Sequence, residues 1–95
     1  MTAQHATEPQ IAEQLLGFIR ERFLDGDPKG ELAEDTPLLE WGVLNSLNTM
    51  VLLAHVRREF GVAVPSVKIN PRDLKNVRTI AAMVTGLLST GDAAA

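Results

Sequence analysis

Trp41-Gly42-Val43-Leu44-Asn45-Ser46-Leu47 decides how this chain is read, because there a turn-prone, apolar loop runs straight into the start of a helix. Gly42 permits backbone conformations closed to most residues, and Asn45 is a strong helix-capping residue. From Leu47 to Phe60 apolar residues recur at helical spacing. Ser46 therefore falls in the first helical turn, beside amides that have no intrahelical acceptor and at the positive end of the helix dipole. Such a position suits a phosphate.

Upstream, Thr7 followed by Glu8, Pro9 and Gln10 combines a cap residue, an acidic first turn, an early proline and a capping-box partner. Ile11, Leu15, Phe18, Ile19 and Phe23 then form one apolar stripe, with Glu13, Arg20, Glu21 and Arg22 largely off it. A first helix is expected to run to about Leu24, where the breakers in Asp25-Gly26-Asp27-Pro28-Lys29-Gly30 begin. The segment from Asp25 to Asn45 is longer than a compact domain usually allows, yet Leu32, Leu38, Leu39, Trp41, Val43 and Leu44 make it too apolar to float. Its second half, opening at the Asp35-Thr36-Pro37 turn, is expected to lie across the bundle. Leu38 and Leu39 would be pinned into it, with Trp41 a bulky anchor.

Downstream, a second helix is expected from Ser46 to about Phe60, stopping before Gly61. Leu47, Met50, Leu53, Val56 and Phe60 suit its inward stripe, with Leu52 toward one flank, which leaves Val51, Ala54, His55, Arg57 and Arg58 toward the outside or the boundary. Val62-Ala63-Val64-Pro65 reads as a packed connector, since its proline argues against a central strand. Asn70-Pro71-Arg72-Asp73 repeats the cap-then-proline signal and opens a short helix through Lys75. Asn76 caps a last helix with Val77, Ile80, Ala81, Val84, Leu87 and Leu88 as its core face. The fold class is all-α: three main helices and one short one around a single core, with a long loop between the first two.

Composition excludes several functions. The 95 residues suit one domain. Nine Lys+Arg against 12 Asp+Glu give a net charge of −3, without the basic face that nonspecific nucleic-acid binding needs. No apolar run approaches the ~20 residues of a membrane span, and the polar N-terminus lacks a signal peptide's apolar centre, so the cytoplasm is the expected location. Without cysteine there is no disulfide framework and no thiolate metal site, and any thioester here needs a cofactor's thiol. Ser46 is outside a G-x-S-x-G elbow, while His5 in the N-terminal tail and His55 on a helix flank supply no persuasive base. P-loop, G-x-G-x-x-G and H-E-x-x-H patterns are missing. A small helical domain presenting one hydroxyl looks like a substrate for other enzymes.

Gly42-Val43-Leu44-Asn45-Ser46-Leu47 resembles the phosphopantetheine attachment motif of acyl and peptidyl carrier proteins, G-x-x-[DN]-S-[LM], followed by an apolar helix ending in F-G-V. The resemblance extends over about Ile11 to Leu88. It rests on the serine motif together with Thr36-Pro37-Leu38-Leu39-Glu40-Trp41-Gly42 before it and Arg58-Glu59-Phe60-Gly61-Val62 with Pro65 after it. It implies an acyl-carrier-protein-like bundle over residues 7–89, flanked by a flexible N-terminus (1–6) and tail (90–95). It also implies a 4′-phosphopantetheine on Ser46 placed there by a phosphopantetheinyl transferase, and no catalytic or metal-binding residue. Within the family, Thr36 to Asn48 is similar to the free-standing prolyl carrier proteins of pyrrole-containing natural products, of the pyoluteorin type. D-alanyl carrier proteins are more distant relatives.

That likeness implies an adenylating ligase that loads L-proline and a flavin-dependent dehydrogenase that oxidises it to the pyrrole-2-carboxyl thioester. A halogenase, acyltransferase or polyketide synthase would follow, and the chain would act as a monomer in antibiotic biosynthesis. Asn45 replaces the aspartate most common before the serine, as prolyl carriers also tend to do. The expected docking surface is Trp41, Val43, Leu44, Asn45, Leu47, Met50, Val51, Ala54, Arg57 and Arg58. Fatty-acid carriers line this helix with carboxylates, so Arg57 and Arg58 imply different partners. A bundle this small leaves little room for buried cargo. The competing reading from another class is an unmodified helical interaction module that uses the apolar patch of Val43, Leu44, Met50 and Val51.

Overall fold

The structure, a computed structural model, describes residues 7–90, which form three α-helices: α1 (Glu8–Phe23), α2 (Ser46–Phe60) and α3 (Val77–Thr90). A single 3-10 turn, Ser66–Lys68, interrupts the connector between α2 and α3, and no strand occurs among the described residues. The chain is all-α, as its periodicity requires. The expected flexible N-terminus over residues 1–6, His5 included, and residues 91–95 of the expected tail (90–95) lie outside the described residues, while Thr90 itself ends α3.

Local chemistry fixes each helix start. Thr7 Oγ1 accepts the Gln10 amide at 3.4 Å and Gln10 Oε1 accepts the Thr7 amide at 2.9 Å, closing the capping box. At α3, Asn76 Oδ1 accepts the Thr79 amide at 2.9 Å and Thr79 Oγ1 accepts the Asn76 amide at 3.1 Å. Helix α2 ends at Gly61, whose φ of +72° and amide bond to the Arg57 carbonyl (2.9 Å) make a left-handed cap.

The pairing of α1 with α3 is the most extensive between helices, and Ile11, Leu15, Ile19, Val77, Ile80, Ala81 and Val84 are buried between the elements. The long loop belongs to the same core, since Leu32, Leu38, Val43 and Leu44 are buried with them. Leu39 differs from its expected pinned state and is partly exposed. Trp41 is 54% exposed, not buried as an anchor; the turn from Pro37 to Gly42 is closed by the Trp41 amide on the Pro37 carbonyl (3.0 Å) and the Gly42 amide on that of Leu39 (3.2 Å).

Two further expectations are corrected. Asn70–Lys75 makes one capped turn rather than a helix: Asn70 Oδ1 accepts the Asp73 amide (2.8 Å) and its carbonyl the Leu74 amide (3.0 Å). Propagation stops there because the Lys75 carbonyl is taken by the Leu38 amide at 2.9 Å and Asn76 already caps α3. Helix α2 is also rotated from its expected register. Leu52, His55 and Val56 are its buried residues, whereas Leu47 is 71% and Met50 64% exposed.

His55, expected toward the outside or the boundary, is only 5% exposed. Its ring stacks on Phe18 with centroids 3.7 Å apart, and Nε2 lies 2.9 Å from Gln14 Oε1. Nδ1 has no hydrogen-bond partner among the described residues. Burial pushes the imidazole below its ordinary pKa, opposed by the Glu59 carboxylate and reinforced by Arg58. The unfolded chain, with an ordinary imidazole, therefore takes up a proton first as pH falls below about 6.5, and folded stability drops from that point downward. Urea unfolding midpoints are expected to fall between pH 7.5 and 5.5, and the fall is expected to shrink in His55→Gln.

Candidate functional site

Asn45 converts the long loop into α2. Its backbone is extended, with φ −127° and ψ −171°; its Oδ1 accepts the Asn48 amide and its carbonyl the Thr49 amide, both at 2.8 Å. Asn48 reaches back, donating from Nδ2 to the Val43 carbonyl at 2.9 Å. The two asparagines clamp the chain on either side of Ser46. The amides of Val43 and Leu44 both donate to the Leu38 carbonyl, at 2.9 and 3.1 Å, and Gly42 supplies the φ of +76° needed to turn the chain there.

Ser46 is exposed as the first residue of α2, and no acidic side chain stands in that turn. Its amide and that of Leu47 precede the capped Asn48 amide, so both belong to the unpaired, positive end of the helix. Beside them a groove of about 530 Å³ opens between the start of α2 and the turn before α3. Leu39, Met50, Ile69 and Leu74 make it largely apolar, with Thr49 and Asn70 as polar points. A phosphate ester at Ser46 fits this end without displacing a buried group, and an attached arm has an open channel along which to lie.

Of the other residues singled out from sequence, Trp41, Leu47, Met50, Ala54, Arg57 and Arg58 are exposed and Val51 is half-buried. Val43 and Leu44 are buried and serve the core, not a docking surface; the Leu38 bonds turn them inward. Asn45 spends its side chain on the cap. Sequence reasoning missed the groove's second wall, Ile69 to Leu74. Exposed Ile69 and Val67 in an aperiodic segment are the only local hint of it.

Among the described residues, no histidine stands beside Ser46 to act as a base. His55 is nine positions along α2 from Ser46, about 13 Å along the axis, and its imidazole faces Gln14 and Phe18. No group of metal-ligating side chains occurs among the described residues, and no described helix is long and apolar enough to cross a membrane.

The family described as "Phosphopantetheine attachment site" matches residues 15–87. The chain belongs to this family of carrier domains. It is 30% identical to the "Probable acyl carrier protein PigG" of Serratia sp. (strain ATCC 39006), over 81% of this chain and 87% of that one. Among solved structures, a chain of the "Crystal structure of FAD-dependent dehydrogenase" superposes with a TM-score of 0.69 and 41% identity, covering 74% of this chain and 97% of that chain. The cofactor of the family is a covalently attached 4′-phosphopantetheine, and its members interact with modifying and synthetic enzymes.

The cap and the exposed face of the carrier are expected to separate in unfolding experiments. Asn45→Ala should cost about 1 kcal/mol in urea unfolding, and Leu38→Ala about 2–5 kcal/mol. Leu47→Gln and Met50→Gln, which change only exposed side chains, should stay within about 0.5 kcal/mol of the parent.

Proposed function

We propose that Ser46 carries the 4′-phosphopantetheine, and that the chain holds an aminoacyl group, L-proline and then pyrrole-2-carboxyl, as a thioester for successive partner enzymes. The observation that carries the attachment point is the exposed hydroxyl at the amide-rich start of α2, clamped by Asn45 and Asn48 and opening on a groove. A phosphopantetheinyl transferase joins the Ser46 Oγ to the phosphorus of the arm, with the hydroxyl proton lost and the adenosine bisphosphate half of coenzyme A leaving. The resulting phosphodiester keeps its negative charge beside the Ser46 and Leu47 amides. When bound, the arm supplies the thiol that this cysteine-free chain lacks.

Two lines support the prolyl cargo. The run Thr36 to Asn48 resembles prolyl carriers, Asn45 included. The solved chain that is 41% identical is of carrier-domain size, since 74% of this chain spans 97% of it, and it comes from a crystal of an FAD-dependent dehydrogenase. A dehydrogenase that binds a carrier of this type acts on carrier-bound cargo, and a prolyl thioester is the substrate that such oxidation takes to a pyrrole. A ligase that adenylates L-proline supplies that thioester. A halogenase, an acyltransferase or a polyketide synthase takes the pyrrole onward, in an antibiotic-type pathway of the cytoplasm.

The residues around Ser46 hold the cargo loosely. The groove's lining is mainly apolar, and its asparagines Asn45 and Asn70 already spend side-chain groups on the α2 cap and the Asp73 turn, which leaves Thr49 beside Ser46, so a small polar acyl group is handed over and not stored.

Intact-protein mass after incubation with coenzyme A and a broad-specificity phosphopantetheinyl transferase is expected to rise by one phosphopantetheine on the parent and by none on Ser46→Ala. Subsequent incubation with ATP and either an L-proline- or a D-alanine-adenylating ligase is expected to add proline alone. Gain of D-alanine instead reassigns the cargo; no phosphopantetheine on the folded parent overturns the carrier function of Ser46.

A further inference from the structure

Acidic and basic side chains are segregated along this chain. Residues 7–45 hold nine carboxylates against three Lys or Arg, whereas residues 46–78 hold six Lys or Arg against two carboxylates. Between Asp35 and Glu59 the only carboxylate is Glu40. Arg78 is drawn toward Glu34 at 3.7 Å, and Arg58 has only a 4.0 Å approach to its exposed neighbour Glu59. Arg57, Lys68, Arg72 and Lys75 are exposed and make no ion pair among the described residues.

The fold sets these cations along one side of the molecule, at the far end of α2 and on the segment that walls the groove beside Ser46. Arg57 follows Met50 by seven positions and so lies on the same face of α2, in line with exposed Leu47 and Ala54. That face is apolar near Ser46 and cationic at its far end. Lys68, Arg72 and Lys75 belong to the segment whose Ile69 and Leu74 form the opposite groove wall. Arg57 is eleven positions from Ser46, about 16 Å along the helix, and a standard interface of about 800 Å² per partner is roughly 30 Å across. An enzyme that covers Ser46 and Met50 therefore also meets Arg57.

We infer, on the carrier reading above, that this face receives a partner enzyme whose docking surface is an apolar patch rimmed by carboxylates, and that the adenylating ligase loading the arm is such a partner. The whole chain is net negative at −3, so at long range an acidic partner is repelled. Charges are screened beyond about 8 Å at physiological ionic strength, however, and what a partner feels on close approach is the local patch. The α2 face then attracts it and the carboxylate-rich α1 and loop surfaces turn it away, which selects the productive orientation more than it adds affinity.

The test uses the full chain converted to its phosphopantetheinylated form, followed by L-proline loading with an L-proline-adenylating ligase as a function of NaCl. Parent loading kcat/KM is expected to fall as salt rises. R57E/R58E should lower it about tenfold at low salt through KM, R57Q/R58Q less, and R57K/R58K hardly at all. E13R/E21R, on the acidic α1 surface, should leave it within twofold. Arginine variants that load within twofold of the parent with an unchanged salt response overturn the inference. So does a parent that accepts phosphopantetheine but is not prolylated by that ligase. A parent that accepts no phosphopantetheine fails earlier and overturns the attachment itself.

Discussion

Leu38 is the residue on which the long loop depends. Its side chain is fully buried, its amide donates to the Lys75 carbonyl at 2.9 Å, and its carbonyl accepts both the Val43 and Leu44 amides. One residue thus ties the loop to the segment before α3 and folds the loop's end back on itself. Burial of a leucine side chain contributes about 1.5–3 kcal/mol, and unpaired backbone groups in its place would each cost about 1–3 kcal/mol. Without that pin, Val43 and Leu44 lose their place in the core and Asn45 has no fixed position from which to cap α2. The site at Ser46 is therefore held by the interior of the protein, although the serine itself is at the surface.

The helix boundaries were readable because each is set by a few adjacent residues. Thr7 with Gln10, Asn45 before Ser46, Asn76 with Thr79 and Gly61 after Phe60 are local signals, and the structure realises all of them. The rotation of α2 was not readable in the same way. Leu47, Met50, Val51, Leu52, Leu53 and Val56 put apolar residues on more than one face, so periodicity alone permits two registers. Asn48 bonded to the Val43 carbonyl, and Phe18 stacked on His55, choose between them. The first is a local bond that ties the helix start to the loop, and the second joins α2 to α1 across the chain. An imidazole that reads as polar in a sequence is buried because its ring face finds an aromatic partner and Nε2 finds Gln14.

The same ambiguity carries functional meaning. A helix that serves only a core needs one apolar face; α2 has a second, with Leu47 and Met50 largely exposed, near Trp41 in sequence and next to the groove. An isolated surface leucine needs no explanation, but a group of large apolar side chains around one presented hydroxyl indicates contact with other proteins. The groove wall from Ile69 to Leu74 escaped the sequence because it has neither helical nor strand periodicity. The folded chain brings this segment alongside α2, where it shares one groove with Thr49 and Met50, and the Leu38–Lys75 bond ties its end to the loop.

These features together suit transfer between enzymes. The start of α2 is capped by Asn45, clamped by Asn48 and pinned through Leu38, so an arm on Ser46, as proposed above, would swing from a fixed point. A rigid base with a mobile arm gives every docked partner the same starting geometry and a high effective concentration of cargo. Docking must also be brief, because each enzyme has to release the carrier to the next. A surface with a few exposed apolar side chains and rim cations meets that need: rim charges speed and orient encounter but contribute little to the lifetime of the complex. Deep burial of cargo would work against it, since every handover would then have to open the core that Leu38 and its neighbours close.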